Sequence, residues 1–221
     1  MAYDFYWISG SPNAWRAMLT LEYKGVPYTS HRLDFGKAEN KTPEYLAMNP
    51  RGKVPSLRDG AMVIYESIAI MAFLERVHPE RPLFGRHAAE TGYIWQRIFE
   101  MQNHTRDQVE DGVIRPIIRG QAKSDPDGIR RSAELAAKSL LWVEEALSAS
   151  PYFAGNAISA ADIAAVTTLK FLERVGKRED AIQLGIGFDD LPTVYPAIAA
   201  WLGRMQEMEG WEAAYPPHWK Q

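Results

Sequence analysis

The 221-residue chain contains no cysteine. That excludes disulfides, thiolate metal sites and a cysteine nucleophile. No two of its five histidines, His31, His78, His87, His104 and His218, lie at the helical spacing of metal ligands, so no metal is expected. No run of about 18 apolar residues occurs, and no membrane-spanning helix is expected. Met1 to Phe5 has neither the charged nor the apolar region of a secretory signal, which points to the cytoplasm. The formal net charge is −3, which leaves no basic footprint for nucleic acid. A phosphate-binding glycine loop and internal repeats are also missing.

What remains is an ordinary globular composition, 46% hydrophobic and 24% charged. Its length suits one large domain or two small ones. The most informative stretch runs from Arg51 to Ile68. Val54-Pro55-Ser56-Leu57 starts a strand with proline where no ladder donor is needed. Asp59-Gly60 is a tight-turn pair, and Met62 to Tyr65 is the return strand. Glu66-Ser67 then opens a helix with an apolar stripe at Ile70, Phe73, Leu74 and Val77. Val54-Pro55 is a candidate cis peptide, which would aim the Val54 N–H and C=O away from the sheet. Those groups suit a peptide-like ligand paired as a short strand. The helix N-terminus at Glu66 and Ser67 favours a carboxylate, and Glu66 suits an ammonium. The same residues also describe a plain hairpin followed by a Ser-capped helix.

Upstream, Tyr3 to Ile8 reads as a strand and Ser9 to Asn13 as a turn cluster. Ala14, Ala17, Met18 and Leu21 mark a helix face, and Gly25 a stop. Tyr28 to Leu33 is a second strand, parallel to the first in a βαβ unit. Pro43 to Met48 has room for one helical turn. His78 to Gly85 carries two prolines and a glycine and reads as a linker. Everything beyond it is helical. A long helix from Ala88 towards Gly120 carries Ile94, Ile98 and Met101 on one face, with Pro116 expected to kink or end it. A helix after Asp125-Pro126 turns Ala136, Leu140, Val143 and Leu147 inward. Ser159 and Asp162 stand in capping-box relation before a buried helix, within a staple of Ile158 and Ile163. A last stripe runs through Val194, Ile198, Trp201, Leu202 and Met205. The tail from Trp211 is rich in aromatics and prolines, and either covers a cleft or packs on the surface.

Lys53-Val54-Pro55 followed by Glu66-Ser67-Ile68 resembles the glutathione-binding half of glutathione transferases. The βαβ–ββα order, the proline-rich linker and the Ser159 to Asp162 capping box extend that resemblance over nearly the whole chain. It implies an α+β protein. A thioredoxin-like domain at 1–78, a linker at 79–87 and an all-α domain at 88–221 carrying the second-substrate site are expected. The implied activity is activation of the glutathione thiol for attack on small electrophiles, with glutathione as co-substrate. The chain is expected to be a homodimer without nucleic-acid or membrane partners. A non-catalytic transferase-like binding module, and ether- or halide-cleaving or isomerase variants, are the alternatives.

The resemblance also assigns residues. Serine-type classes such as tau and theta carry a serine just before the first helix and an arginine in its first turn. Ser11, followed by Arg16, matches that pattern. Ser9 and Asn13 are alternatives for the thiol contact, and Ser11 also suits a simple helix cap. Arg16 is expected as a support. Val54, Glu66 and Ser67 are expected to hold glutathione, with Lys53 and Lys41 near its glycine end. Trp15, Gln102, Asn103 and Arg106 are candidates for the second-substrate wall. Without cysteine the chain departs from omega and beta members. It lacks the Ser-Ser-Cys run of the zeta isomerases, and Tyr3 and Tyr6 lie within a strand rather than at the catalytic tyrosine position of alpha, mu and pi members.

Overall fold

In the computed structural model, which describes residues 3–220, strand β1 (Tyr3–Trp7) turns Tyr3 and Phe5 into the core. It pairs in parallel with β2 (Tyr28–Arg32), Phe5 opposite Ser30. Between them runs α1 (Pro12–Tyr23), which buries Ala14, Ala17, Met18 and Leu21, the stripe expected from the sequence. After α2 (Pro43–Met48), strands β3 (Ser56–Asp59) and β4 (Met62–Tyr65) form an antiparallel hairpin. Gly60, at φ +58°, turns that hairpin in a backbone region most side chains avoid. β3 lies antiparallel to β1, giving the sheet order β2-β1-β3-β4. α3 (Ser67–Val77) packs beside α1. Its buried stripe is Ile70, Met71 and Leu74. Val77, expected on that face, is its last residue and stands exposed.

The chain divides into two compact units, one up to Pro82 together with Met208 onward, the other Leu83–Glu207. The expected domains placed everything from 88 to 221 in the helical part; the tail instead groups with the sheet. Its helical turns Trp211–Ala214 and Pro217–Trp219 carry Trp211 and Trp219 edge-on to Trp15, at 5.1 and 5.4 Å between ring centroids, and Tyr215 joins at 5.5 Å. Such edge-to-face pairs each add about 1 kcal/mol beyond their buried area. Arg81 also reaches Glu209 at 2.6 Å.

The other unit is all helix. α4 (Ala88–Glu100) continues through π-helical turns at Met101–Arg106 and Glu110–Ile114 to Arg115–Ile118. Ile94, Ile98 and Met101 are buried as expected, and the helix ends two residues beyond Pro116. α5 (Pro126–Ala149) buries Ala136, Leu140, Val143 and Leu147, and the Asp125 side chain caps it by accepting from Gly128 N. α6 (Ala160–Gly176) is buried on nearly every side. α7 (Pro196–Gln206) buries Ile198, Trp201, Leu202 and Met205. Val194, expected on that stripe, precedes the helix and is exposed.

Ser159 and Asp162 form the capping box of α6. The Asp162 carboxylate, fully buried, accepts from Ser159 N, Ser159 Oγ, Phe153 N and Trp201 Nε1 at 2.8–2.9 Å. Burial pushes its carboxyl above the usual range, against the pull of those four bonds. Among the described residues no helix is long and apolar enough to cross a membrane.

Candidate active site

Val54-Pro55 is cis, as its sequence context suggested. The loop that carries it is braced from α2. Tyr45 Oη and Asn49 Nδ2 donate to the Lys53 carbonyl at 2.6 and 2.8 Å, and both reach Ser56 Oγ. Asn40 Nδ2 and Lys41 Nζ donate to the Gly52 carbonyl at 2.7 and 2.9 Å. The two carbonyls before Val54, those of Gly52 and Lys53, are thus engaged. Among the described residues neither the N–H nor the C=O of Val54 has a hydrogen-bond partner. A half-buried backbone pair left open in this way is set to receive a strand-like ligand. Lys41 is held by the loop itself, and the Lys53 side chain is exposed.

Glu66 sits at the end of the hairpin with φ +72° and ψ 113°, a region that costs a residue with a Cβ about 1–3 kcal/mol. Such outliers cluster where a ligand is gripped. Its side chain is exposed and lies 3.9 Å from Arg51 Nε. The next residue, Ser67, begins α3 and is buried. Its hydroxyl accepts from Arg16 Nη1 at 3.1 Å, and the same nitrogen donates to Asn13 Oδ1 at 3.2 Å. The guanidinium, 1% exposed, therefore ties the first turn of α1 to the start of α3.

Ser11 is the N-cap of α1, its Oγ accepting from Ala14 N at 3.3 Å. A hydroxyl has one donor and two acceptor positions, so this bond uses a lone pair and leaves the O–H to donate elsewhere. Capping and thiol contact are compatible at Ser11. Asn13 has committed its carbonyl oxygen to Arg16. Ser9 Oγ is 2.7 Å from His218 Nδ1 of the tail. Both line a cavity of about 440 Å³ with Ile8, Arg32, Asp34 and Phe35.

Hydrogen bonds join Asn13, Arg16 and Ser67 between α1 and α3, with Ser11 separately capping α1 and Glu66 preceding Ser67. The structure does not leave Trp15 free for a substrate wall. That ring is 3% exposed, closed in by Trp211, Tyr215 and Trp219. In the helical unit Gln102 Oε1 accepts from Arg106 Nη1 at 3.2 Å, Arg106 Nε lies 3.6 Å from Glu110, and Asn103 is exposed. Tyr45 and Asn49 carry the loop yet were missed. Their spacing is that of any helical turn, and only the fold brings them under Lys53. His218 was missed as a partner of Ser9 because 209 residues separate the two.

The chain matches the model of the glutathione S-transferase N-terminal domain over residues 10–77, and that of the C-terminal domain over residues 126–204. It is 31% identical over 218 residues to "Glutathione S-transferase A" of Pleuronectes platessa, covering 96% of this chain and 91% of that protein. It is also 30% identical over 165 residues to "Elongation factor 1-gamma 1" of Oryza sativa subsp. japonica, covering 74% of this chain and 38% of that protein. Among solved structures, a glutathione S-transferase from the Antarctic clam Laternula elliptica is similar with a TM-score of 0.84 at 27% identity, covering 100% of this chain and 95% of that one.

Proposed function

Because the chain belongs to the glutathione S-transferase family, we propose that its sheet-containing unit binds glutathione and activates the thiol for attack on small electrophiles. The observation that carries this is the open Val54 backbone beside the cis proline, with Glu66 and Ser67 at the start of the next helix. The cysteinyl part of glutathione pairs with Val54 as a short antiparallel strand. The γ-glutamyl carboxylate takes the N-terminus of α3 and the Ser67 hydroxyl, and Glu66 takes the ammonium. Lys53 serves the glycine carboxylate; Lys41, bonded to Gly52, contributes by shaping the loop.

The thiol lies at the N-terminus of α1, where Ser11 donates to the thiolate. A free thiol near pKa ~8.5 is mostly protonated at neutral pH, and a shift of roughly two units downward corresponds to about 2.7 kcal/mol in favour of the anion. The hydroxyl and the helix dipole both act in that direction. The thiolate sulfur then forms a bond to an electrophilic carbon, and the leaving group departs with its electron pair. Proximity supplies much of the remaining rate gain. Gln102, Asn103 and Arg106 belong to the second-substrate side. The protein works in the cytoplasm, in removal of electrophiles, as a homodimer. Exposed Tyr93, Phe99, Leu135 and Leu141 of the helical unit support association. A sedimentation mass near 25.0 kDa at micromolar concentration would count against the dimer.

Retention on immobilised glutathione and turnover of a chloronitroaromatic together test the enzyme. Retention without turnover would favour a binding module, a reading that the likeness to elongation factor 1-gamma keeps specific. Loss of both would overturn the proposal.

A further inference from the structure

The cavity at the end of β1 has a chemical character of its own. Its apolar lining is Ile8, Leu33 and Phe35, and Phe35 is 71% exposed. Two charged residues face it, Arg32 and Asp34. Asp34 is spent on its own turn: Oδ1 accepts from Gly36 N at 2.8 Å and from Lys37 N at 3.3 Å, and Oδ2 lies 3.6 Å from Lys37 Nζ. The Lys37 amide bond, joined by that from Gly36, holds its carboxyl below the usual range against desolvation. Arg32 has no such partner. Its guanidinium lies 5.8 Å from the Trp7 ring centroid, and among the described residues no carboxylate pairs with it.

The fourth wall comes from the tail. His218 bonds Ser9 Oγ, and its ring lies over Gly10 so closely that a Cβ there would sit 2.8 Å from His218 Cε1. Gly10 is at φ +85°, a second reason for glycine at this position. The aromatic cluster around Trp15 holds the neighbouring Trp219 in place. An apolar shelf, an uncompensated guanidinium and a ring nitrogen thus meet two residues from Ser11.

We propose that this cavity selects electrophiles carrying a carboxylate, with Arg32 as the anion anchor, Phe35 as the apolar shelf and His218 as the closing wall. The inference rests on the glutathione transferase reading. In the reaction it favours, the glutathione thiolate bonds to the ring carbon of a chloronitrobenzoate, the C–Cl bond breaks, and chloride leaves with the bonding pair. The carboxylate stays charged and bonds the Arg32 fork.

The test compares kcat/KM for chloronitrobenzoate and its methyl ester. The acid-to-ester ratio should fall about tenfold in Arg32→Gln, the loss of one charge-assisted bond. His218→Ala should raise KM for the acid more than it lowers kcat. Nitrobenzoate should bind the parent protein without glutathione more tightly than nitrobenzamide does, with an affinity that weakens as salt is added. An unchanged ratio in Arg32→Gln, or equal binding of nitrobenzoate and nitrobenzamide, overturns the proposal. If neither electrophile is turned over by the parent, the transferase reading fails, and the glutathione-free binding comparison still decides the cavity.

Discussion

Arg16 Nη1 and Ser67 Oγ, 51 residues apart in sequence, are bonded at 3.1 Å inside the sheet-containing unit. The bond makes the start of α3, where the γ-glutamyl end is proposed to sit, depend on a buried side chain of α1. Arg16→Met keeps the stem and removes the donors. Leaving Ser67 and Asn13 short of a partner should destabilise by about 1–3 kcal/mol. It should also raise KM for glutathione. A urea midpoint equal to the parent's would remove the bracing role.

Glu66 is held at φ +72° and ψ 113°, where a Cβ adds strain that glycine would not carry. Glu66→Ala should raise KM for glutathione more than it lowers kcat, since the lost contact is made equally in ground and transition states. Glu66→Gly should show the same rise in KM and be about 1 kcal/mol more stable than Glu66→Ala, because the strain is relieved. An unchanged KM in both folded variants would reject the ammonium contact.

Ser159 contributes both its amide and its hydroxyl to buried Asp162. Ser159→Ala should cost about 1 kcal/mol or more, as loss of an N-cap usually does, with a surcharge for groups that water cannot reach. The kinetic constants of the folded fraction should stay near the parent's. Coincident thermal transitions of parent and variant would contradict this.

Asp4 gives a pH test. His31 Nε2 bonds Oδ1 at 2.7 Å, and Arg58 Nη2 bonds Oδ2 at 2.8 Å. The His31 bond, then that of Arg58, lowers the Asp4 carboxyl from its ordinary range. A depressed folded-state pKa means stability present above the unfolded value, about 3.9, and lost as pH falls through the folded one. In Asp4→Asn the decline of the urea midpoint below about pH 4 should be shallower than in the parent. Parallel acid limbs would show that the pair contributes nothing on folding.

The order of strands and helices was legible because each element carries its own local signal. Asp59-Gly60 closes a hairpin, Ser11-Pro12 starts a helix, and Ser159 with Asp162 starts another. The Val54-Pro55 and Glu66-Ser67 pairs stood out together as candidates because both lie within one hairpin and its exit. Contacts that join distant segments left no such trace. Trp15 reads equally well as a substrate wall or as core; only the return of Trp211, Tyr215 and Trp219 to α1 decides it. The π-helical turns after Glu100 leave the apolar period almost intact, so the pattern does not announce them. Glu66 gave no hint of its positive φ, since sequence preference would put glycine there.

The thiol contact proposed for Ser11 can be told apart from one made by Ser9 or Asn13. Ser11 Oγ accepts from Ala14 N, which leaves its proton for a thiolate. Ser9 shares its hydroxyl with His218, and Asn13, whose oxygen accepts from Arg16, keeps its Nδ2 donors, so the two neighbours are tested beside Ser11. A donated hydrogen bond stabilises the anion, so removing it must raise the thiol pKa. In Ser11→Ala the apparent pKa of bound glutathione, followed by thiolate absorbance, should climb toward the free value near ~8.5. A climb of roughly two units, from about 6.5 to about 8.5, reduces the thiolate fraction at pH 7 roughly 25-fold, and kcat should fall with it and partly recover at high pH. Glutathione affinity should change little, since the contacts proposed for Val54, Glu66 and Ser67 are untouched. The lost cap should cost about 1 kcal/mol of stability, too little to empty the folded state. A pKa that stays in place in Ser11→Ala but rises in Ser9→Ala or Asn13→Ala transfers the contact to that residue. If all three leave it in place, activation by a side chain before α1 is wrong for this protein.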